Sequence, residues 1–474
     1  MALPTTGQIV FGTDGWRGII ADDFTYPNVR RVTYAIARYL EGAYSRECPV
    51  LIAYDTRFAA DAFAQAAAEI LASLGWQVLM TDRDCPTPVI AYHARLKHSA
   101  GALMFTASHN PAPYCGIKYI PDYAGPATPE ITDQIVANLL TATDEKPASF
   151  PASAITRFDP RPEYLDYVLS KIDGDKIRAT HLKAVYDALY STSRGYLDEC
   201  LTRLGVEVTA LHTWRDVLFG GGMPEPKGEQ LHELMERVVS EGATLGLATD
   251  GDSDRFGVVD ERGEMLTPNT VLLVLARHLF KNKHQRGAIV RTVATTHLLD
   301  NLALQYGLEL IETPVGFKYV GQKMREIPVL IGGEESGGLS VLGHIPEKDG
   351  VLADLLMVEV VATEGKPLSQ IVTQTIAEAG GPVYSRRLDL HLTPEHKDAV
   401  LAHYKKEAPT EVAGVLVKQV GRKDGLKLYL EDSSWVLLRP SGTEPLVRVY
   451  LEAGSAERLE QLAAAMEGQI NGLA

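Results

Sequence analysis

The sequence predicts an α/β protein of several domains, three built on alternating strands and helices and the last of α+β type. Its 474 residues exceed what one hydrophobic core organises, and the length suggests about three to four domains with room for a cleft between them. Over most of the chain, short apolar runs of strand length alternate with stretches of helical spacing, the pattern of βαβ units around a largely parallel sheet. From about Pro382 the pattern changes to closely spaced strand-like runs flanked by helices.

In the first unit Val50 to Tyr54, Gln77 to Met80 and Ala102 to Phe105 read as strands, with helices over Asp61 to Leu74 and Val89 to Lys97. The segment Thr143 to Pro162, with Pro147, Pro151, Pro160 and Pro162, reads as a linker. The second unit alternates strand and helix through Lys183 to Leu189, Tyr196 to Leu204, Val206 to His212, Gln230 to Ser240 and Leu245 to Thr249. The third repeats the plan: Thr270 to Leu279 helical, Ala288 to Thr292 a strand, His297 to Tyr306 helical, then strands at Leu308 to Glu312 and Val329 to Ile331. The tail has strands at Val415 to Val420, Leu426 to Leu430, Trp435 to Leu438 and Val447 to Leu451, and helices at His396 to Lys405 and Ala456 to Gln469. These readings place domains at 1–150, 151–262, 263–378 and 379–474.

Hydrophobic residues at 45% and charged residues at 23% are ordinary for a globular protein. A formal net charge of −15 opposes binding to nucleic acid or an anionic membrane, both of which attract Lys and Arg. No apolar run reaches the roughly 18 residues of a membrane span; Val271 to Phe280 is interrupted by Arg277 and His278. Cys48, Cys85, Cys115 and Cys200 show no C-x-x-C spacing, and the first residues lack a signal pattern. The expectation is a reduced, cytoplasmic protein, monomer or homodimer.

Five clusters carry chemistry, and each follows a strand or a glycine turn. Phe105-Thr-Ala-Ser108-His109-Asn-Pro111 sets a hydroxyl beside an imidazole just past a strand's carboxyl end, where open α/β sheets bind ligands. Ser108 is a candidate nucleophile, with His109 and Lys118 near enough in sequence to activate it. Taken alone, the Ser-His pair equally fits a helix cap. Asp250, Asp252 and Asp254, followed by Arg255, alternate just beyond a strand and can converge on one hard divalent cation. An EF-hand is rejected because its sixth place holds Arg255 and its flanks read as strands.

Arg439-Pro-Ser441-Gly442-Thr443, with Arg448 beyond, offers the amides, hydroxyls and guanidinium that a phosphate dianion needs. Glu334, Glu335 and Ser336 between glycines, preceded by Thr313 to Lys318, suit the paired hydroxyls of a polyol. Arg17 between glycines can reach the same phosphate as Ser108.

In this order, across nearly the whole chain, the Thr-Ala-Ser-His-Asn-Pro, Asp-Gly-Asp-x-Asp-Arg, Gly-Glu-Glu-Ser-Gly and Arg-Pro-Ser-Gly-Thr-Glu-Pro loops resemble those of the α-D-phosphohexomutases. The resemblance implies four domains around a central cleft, the first three α/β/α with mixed sheets and a smaller C-terminal domain. It implies a phosphoserine at Ser108, with Mg²⁺ held by Asp250, Asp252, Asp254 and a phosphoryl oxygen on Ser108. His109 and Lys118 would handle protons, and Arg17 would hold the reacting phosphate. Arg255, Arg291, Lys318, Glu334 and Ser336 would face the sugar phosphate, and Arg439, Ser441, Gly442, Thr443 and Arg448 the phosphate that is not reacting. Glucose 1,6-bisphosphate would be activator and intermediate. Glu312 to Lys318, Arg291 and Glu347-Lys-Asp-Gly look like the phosphoglucomutase branch. Phe317 and Gly338 depart from dual-specificity relatives, which often carry His there, and Glu335 departs from the Gln of the phosphoglucosamine branch. The expected reaction is interconversion of glucose 1-phosphate and glucose 6-phosphate, with a bisphosphate synthase or phosphomannomutase as alternatives.

Overall fold

The computed structural model describes residues 9–12, 15–440 and 446–473. The first domain is organised by a seven-stranded mixed sheet in the order Phe11–Gly12, Gly15–Ile19, Tyr114–Ile120, Gly101–Phe105, Val50–Tyr54, Val78–Thr81, Ile155–Phe158. The strand Val50–Tyr54 runs parallel to both neighbours, whereas Gly101–Phe105 and Tyr114–Ile120 pair antiparallel. The central strands Val50–Tyr54 and Gly101–Phe105 are buried at every position, as a sheet covered on both faces requires. The proline-rich stretch expected as a linker contributes the edge strand Ile155–Phe158, which pairs parallel with Val78–Thr81.

Two four-stranded mixed sheets follow. One runs Phe256–Val259, Leu245–Thr249, Lys183–Asp187, Glu207–Leu211, and the other Leu310–Thr313, Ala288–Thr292, Val329–Gly333, Leu339–Val341. The last domain is a six-stranded antiparallel sheet from Tyr384–His391 to Glu411–Val412, with the helices Pro394–Lys406 and Ala456–Asn471. Its helix starts are set locally. The Thr393 and Ser455 side chains accept from the amides of His396 and Arg458, satisfying donors the first turn leaves free.

One helix ties the first three domains together. Gly350–Glu364 is buried on nearly every face, and its core extends from Leu51 through Leu247 to Ile331. Asp349 caps it by accepting from the Leu352 amide. Because the helix is buried on nearly every face, its apolar residues are spread all round it and leave no 3.6-residue stripe to read from sequence.

Candidate active site

Ser108 lies just beyond the buried strand Gly101–Phe105, is 2% exposed, and adopts φ of +52°. This left-handed backbone is disfavoured for a residue with a Cβ and persists only where surrounding bonds enforce it. Arg57 supplies them. Fully buried, it donates through Nη2 to Ser108 O (2.7 Å) and Asn110 O (2.6 Å), and through Nη1 to Pro111 O (2.8 Å) and Tyr114 O (2.9 Å). Its Nε donates to Asp55 Oδ2 at 3.0 Å, and Asp55 also accepts from Thr106 Oγ1 at 2.6 Å. Sequence reasoning passed over both residues; the available signal was Asp-Thr-Arg at the carboxyl end of Val50–Tyr54.

The second domain brings its aspartates onto this loop. Ser108 Oγ donates to Asp250 Oδ2 at 3.0 Å, and a Cβ on Gly251 would lie 2.4 Å from Ser108 O, so only glycine permits the approach. Asp250, Asp252 and Asp254 are buried, each with an oxygen within 4.8 Å of the others. Lys118, on the antiparallel neighbour of the serine's own strand, donates to Asp252 Oδ2 (2.8 Å) and Asp254 Oδ2 (3.1 Å). Thr87 Oγ1 donates to Asp252 Oδ2 at 2.6 Å.

Burial raises the Asp250 carboxyl well above its ordinary value, and the charges of Asp252 and Asp254 add to this. Asp254 is also penalised by burial, yet Lys118, Lys348 and Arg255 together hold it below the ordinary value. Among the described residues, Asp252 Oδ1 and Asp254 Oδ1 are buried without a hydrogen-bond partner. Such oxygens are costly unless a cation satisfies them, so the donor set fits a hard divalent ion.

The cationic walls converge on the same point. Arg17, on the strand Gly15–Ile19, donates to Asn110 Oδ1 at 2.5 Å. His109 Nδ1 lies 3.3 Å from Ser108 Oγ, and burial, then Arg255 and Arg17, push its imidazole far below the ordinary value, leaving it neutral. Arg255 bonds Asp250 through its amide (3.0 Å) and Glu225 through its guanidinium (3.2 Å).

An antiparallel bridge between Arg255 and Gly338 joins the aspartate loop to the glutamate loop. Glu334 Oε1 accepts from the Gly316 amide at 2.9 Å, which seats the Thr313–Lys318 segment against it. Burial raises the Glu334 carboxyl to about 7, with Lys348 and Arg255 opposing and Glu335 assisting. Glu335 accepts from Thr292 Oγ1 at 3.1 Å, and Ser336 is half-buried beside it. Lys348, noted in the sequence only within a branch-like motif, packs along Gly338 and reaches Asp254 Oδ2 at 2.8 Å. Lys318 occupies the first turn of the helix Phe317–Glu326, its ammonium 5.3 Å from the Tyr319 ring.

Arg291 stands apart from this group. It is 3% exposed and held by Asp300 and Glu312, where the third domain meets the fourth. In the fourth domain Arg439 and Arg448 are directly opposed on neighbouring strands, an arrangement of like charges that favours a shared anion. Arg439 Nε donates to Asp424 at 2.8 Å, and Arg448 Nε lies 3.9 Å from Asp389. Ser441, Gly442 and Thr443 lie outside the described residues.

Among the described residues, no helix is long and apolar enough to cross a membrane. The models of the three α/β/α domains and the C-terminal domain of phosphoglucomutase/phosphomannomutase match residues 8–146, 162–263, 267–379 and 397–469. A protein of Methanothermobacter thermautotrophicus named a probable phosphoglucosamine mutase is 32% identical over 452 residues, 95% of each chain. A phosphoglucomutase/phosphomannomutase of Thermococcus kodakarensis is 29% identical over 95% of this chain and 96% of its own. A crystal structure from Thermus thermophilus, described as a candidate phosphomannomutase, superposes with a TM-score of 0.86 at 32% identity, covering 98% of this chain and all of that one.

Proposed function

Because the chain belongs to the phosphoglucomutase/phosphomannomutase family of α-D-phosphohexomutases, we propose that it interconverts glucose 1-phosphate and glucose 6-phosphate through a phosphoserine at Ser108 and a glucose 1,6-bisphosphate intermediate. One observation carries this reading: the Ser108 hydroxyl lies 3.0 Å from Asp250 at the edge of three buried carboxylates.

Asp250, Asp252 and Asp254, with a phosphoryl oxygen on Ser108, would hold Mg²⁺, which when bound neutralises charge on the phosphoryl group. The chain's own residues do the positioning. Arg57 fixes the serine backbone, while Arg17 and Arg255 surround the reacting phosphate with charge. In the forward half-reaction the Ser108–phosphorus bond breaks as a bond forms to the sugar 6-hydroxyl. The hydroxyl's proton passes to a nearby base, the role that the family resemblance gives to His109, whose Nδ1 lies 3.3 Å from Ser108 Oγ, and to Lys118. Glu334 and Ser336 grip sugar hydroxyls, with Lys318 at the rim of the same loop. Arg439 and Arg448, with Ser441, Gly442 and Thr443, recognise the distal phosphate, so the turned-over bisphosphate returns its 1-phosphate to Ser108.

Glucose is favoured by the Glu312 to Lys318 and Glu347-Lys-Asp-Gly motifs, which resemble the phosphoglucomutase branch. A second reading is an amino sugar, because the Methanothermobacter relative, 32% identical, is named a phosphoglucosamine mutase. The test is a phosphorus NMR time course of the Mg²⁺-loaded protein with glucose 1-phosphate, glucosamine 1-phosphate or mannose 1-phosphate and trace glucose 1,6-bisphosphate. Fastest conversion of glucose 1-phosphate supports the reading; faster conversion of either other sugar replaces it. Bisphosphate accumulating from fructose 1,6-bisphosphate as donor would make the protein a bisphosphate synthase.

A further inference from the structure

Between the strands Val415–Gly421 and Leu426–Leu430 the last domain makes a short turn that rests against the segment Glu312 to Val315 of the third. The turn depends on Gly425, whose φ is +94° and where a Cβ would lie 2.2 Å from Leu438 O. It presents two side chains across the domain boundary. Lys423 Nζ donates to Glu312 O at 2.6 Å. Asp424 Oδ2 accepts from the Val315 amide at 2.9 Å and from Arg439 Nε at 2.8 Å.

A single carboxylate oxygen therefore joins the phosphate end of the site to its sugar end. On one side stands Arg439; on the other, Val315 precedes Gly316, whose amide is bonded to Glu334. Beside this contact the domains pack through Val293 and Ala294 against Trp435, Leu437 and Tyr450. Lys427, 3% exposed, donates there to Val293 O (2.6 Å) and to His297 Nε2 (2.8 Å). That packing explains why the domains adhere, but nothing in it fixes the direction of the Arg439 guanidinium. Asp424 does so, with a charge-assisted bond to the planar fork that recognises phosphate.

We propose that Asp424 is a positioning residue that orients Arg439 and locks the fourth domain to the sugar loop, so that the doubly phosphorylated intermediate is retained while it turns over. The proposal rests on the mutase reading. A partly exposed ion pair contributes little to stability, so the role of Asp424 is read in partitioning of the intermediate rather than in melting temperature.

The full-length protein, charged at Ser108 with radiolabelled phosphate, is mixed with the hexose 1-phosphate that the wild type turns over. Label is then counted in free hexose bisphosphate and in hexose 6-phosphate after one turnover, alongside steady-state KM and kcat. Losing a charge-assisted hydrogen bond corresponds to about a tenfold change. Asp424→Ala is expected to raise the share of label escaping as bisphosphate by about that factor and to raise KM more than it lowers kcat. Asp424→Asn keeps an acceptor for the Val315 amide but loses the charge facing Arg439, and falls between; it also serves if Asp424→Ala does not fold. Wild-type partitioning and KM in a folded variant overturn the proposal while leaving the mutase intact. A wild type that passes no label to any hexose phosphate overturns the mutase reading and the proposal with it.

Discussion

Ser108 and Asp250, 142 residues apart in the chain, meet at 3.0 Å between the first and second domains. The contact places a hydroxyl at the edge of three buried carboxylates, of which Asp252 Oδ1 and Asp254 Oδ1 have no hydrogen-bond partner among the described residues. Ser108→Ala is therefore expected to lower turnover by at least about a thousandfold, roughly 4 kcal/mol of barrier, and to abolish labelling of the protein by radiolabelled substrate. A labelled Ser108→Ala protein would place the phosphoryl group elsewhere.

Removal of divalent cations tests the aspartates. With Asp252 Oδ1 and Asp254 Oδ1 buried and unpartnered among the described residues, EDTA is expected to abolish activity and Mg²⁺ to restore it. Added Mg²⁺ should also raise the melting temperature in a concentration-dependent way, since a ligand that binds only the folded state stabilises it. Activity and melting indifferent to chelation would contradict the assignment.

Arg57 is expected to matter for structure as well as rate. Arg57→Ala leaves the carbonyls of Ser108, Asn110, Pro111 and Tyr114 without this donor and Asp55 without its ion pair. Breaking such a buried pair costs about 3–5 kcal/mol. Arg57→Lys should rescue poorly, because an ammonium cannot reproduce the planar fork. Chemical denaturation measures the loss, and a variant within about 1 kcal/mol of wild type would show the loop to be held by other contacts.

Glu334 gives the folded protein a pH signature. Its carboxyl is raised by burial from 4.5 to about 7, so between those values the folded state binds the proton more tightly than the unfolded state. Stability from this group is present below about 4.5 and is lost as pH rises to about 7, by up to about 3 kcal/mol. Glu334→Gln should remove that slope. Unfolding curves of variant and wild type that stay parallel from about pH 4.5 to about pH 8 would refute the shift.

Much of the site was legible because its signals are local. Strand-length runs ending in Ser108, Asp250 or Glu334, and turns rich in glycine, report where the chain leaves a sheet and which chemistry it carries there. The same local reading treated the prolines between 143 and 162 as a linker, although Ile155–Phe158 forms a sheet edge, where proline-flanked strands are tolerated. It also passed over Gly350–Glu364, whose apolar residues lie on every face and leave no period to detect.

The sequence by itself determined the α/β class, the order of the chemical loops and the family, because periodicity, turn residues and motif spacing are properties of neighbouring residues. Only the tertiary structure decided which side chains meet. It set Arg57 beneath the serine loop, Lys348 on Asp254, Asp424 between Val315 and Arg439, and Arg291 in a domain interface with Asp300 and Glu312. Most of these contacts join residues far apart in the chain, and such distances arise from packing whole domains together, which no local pattern encodes.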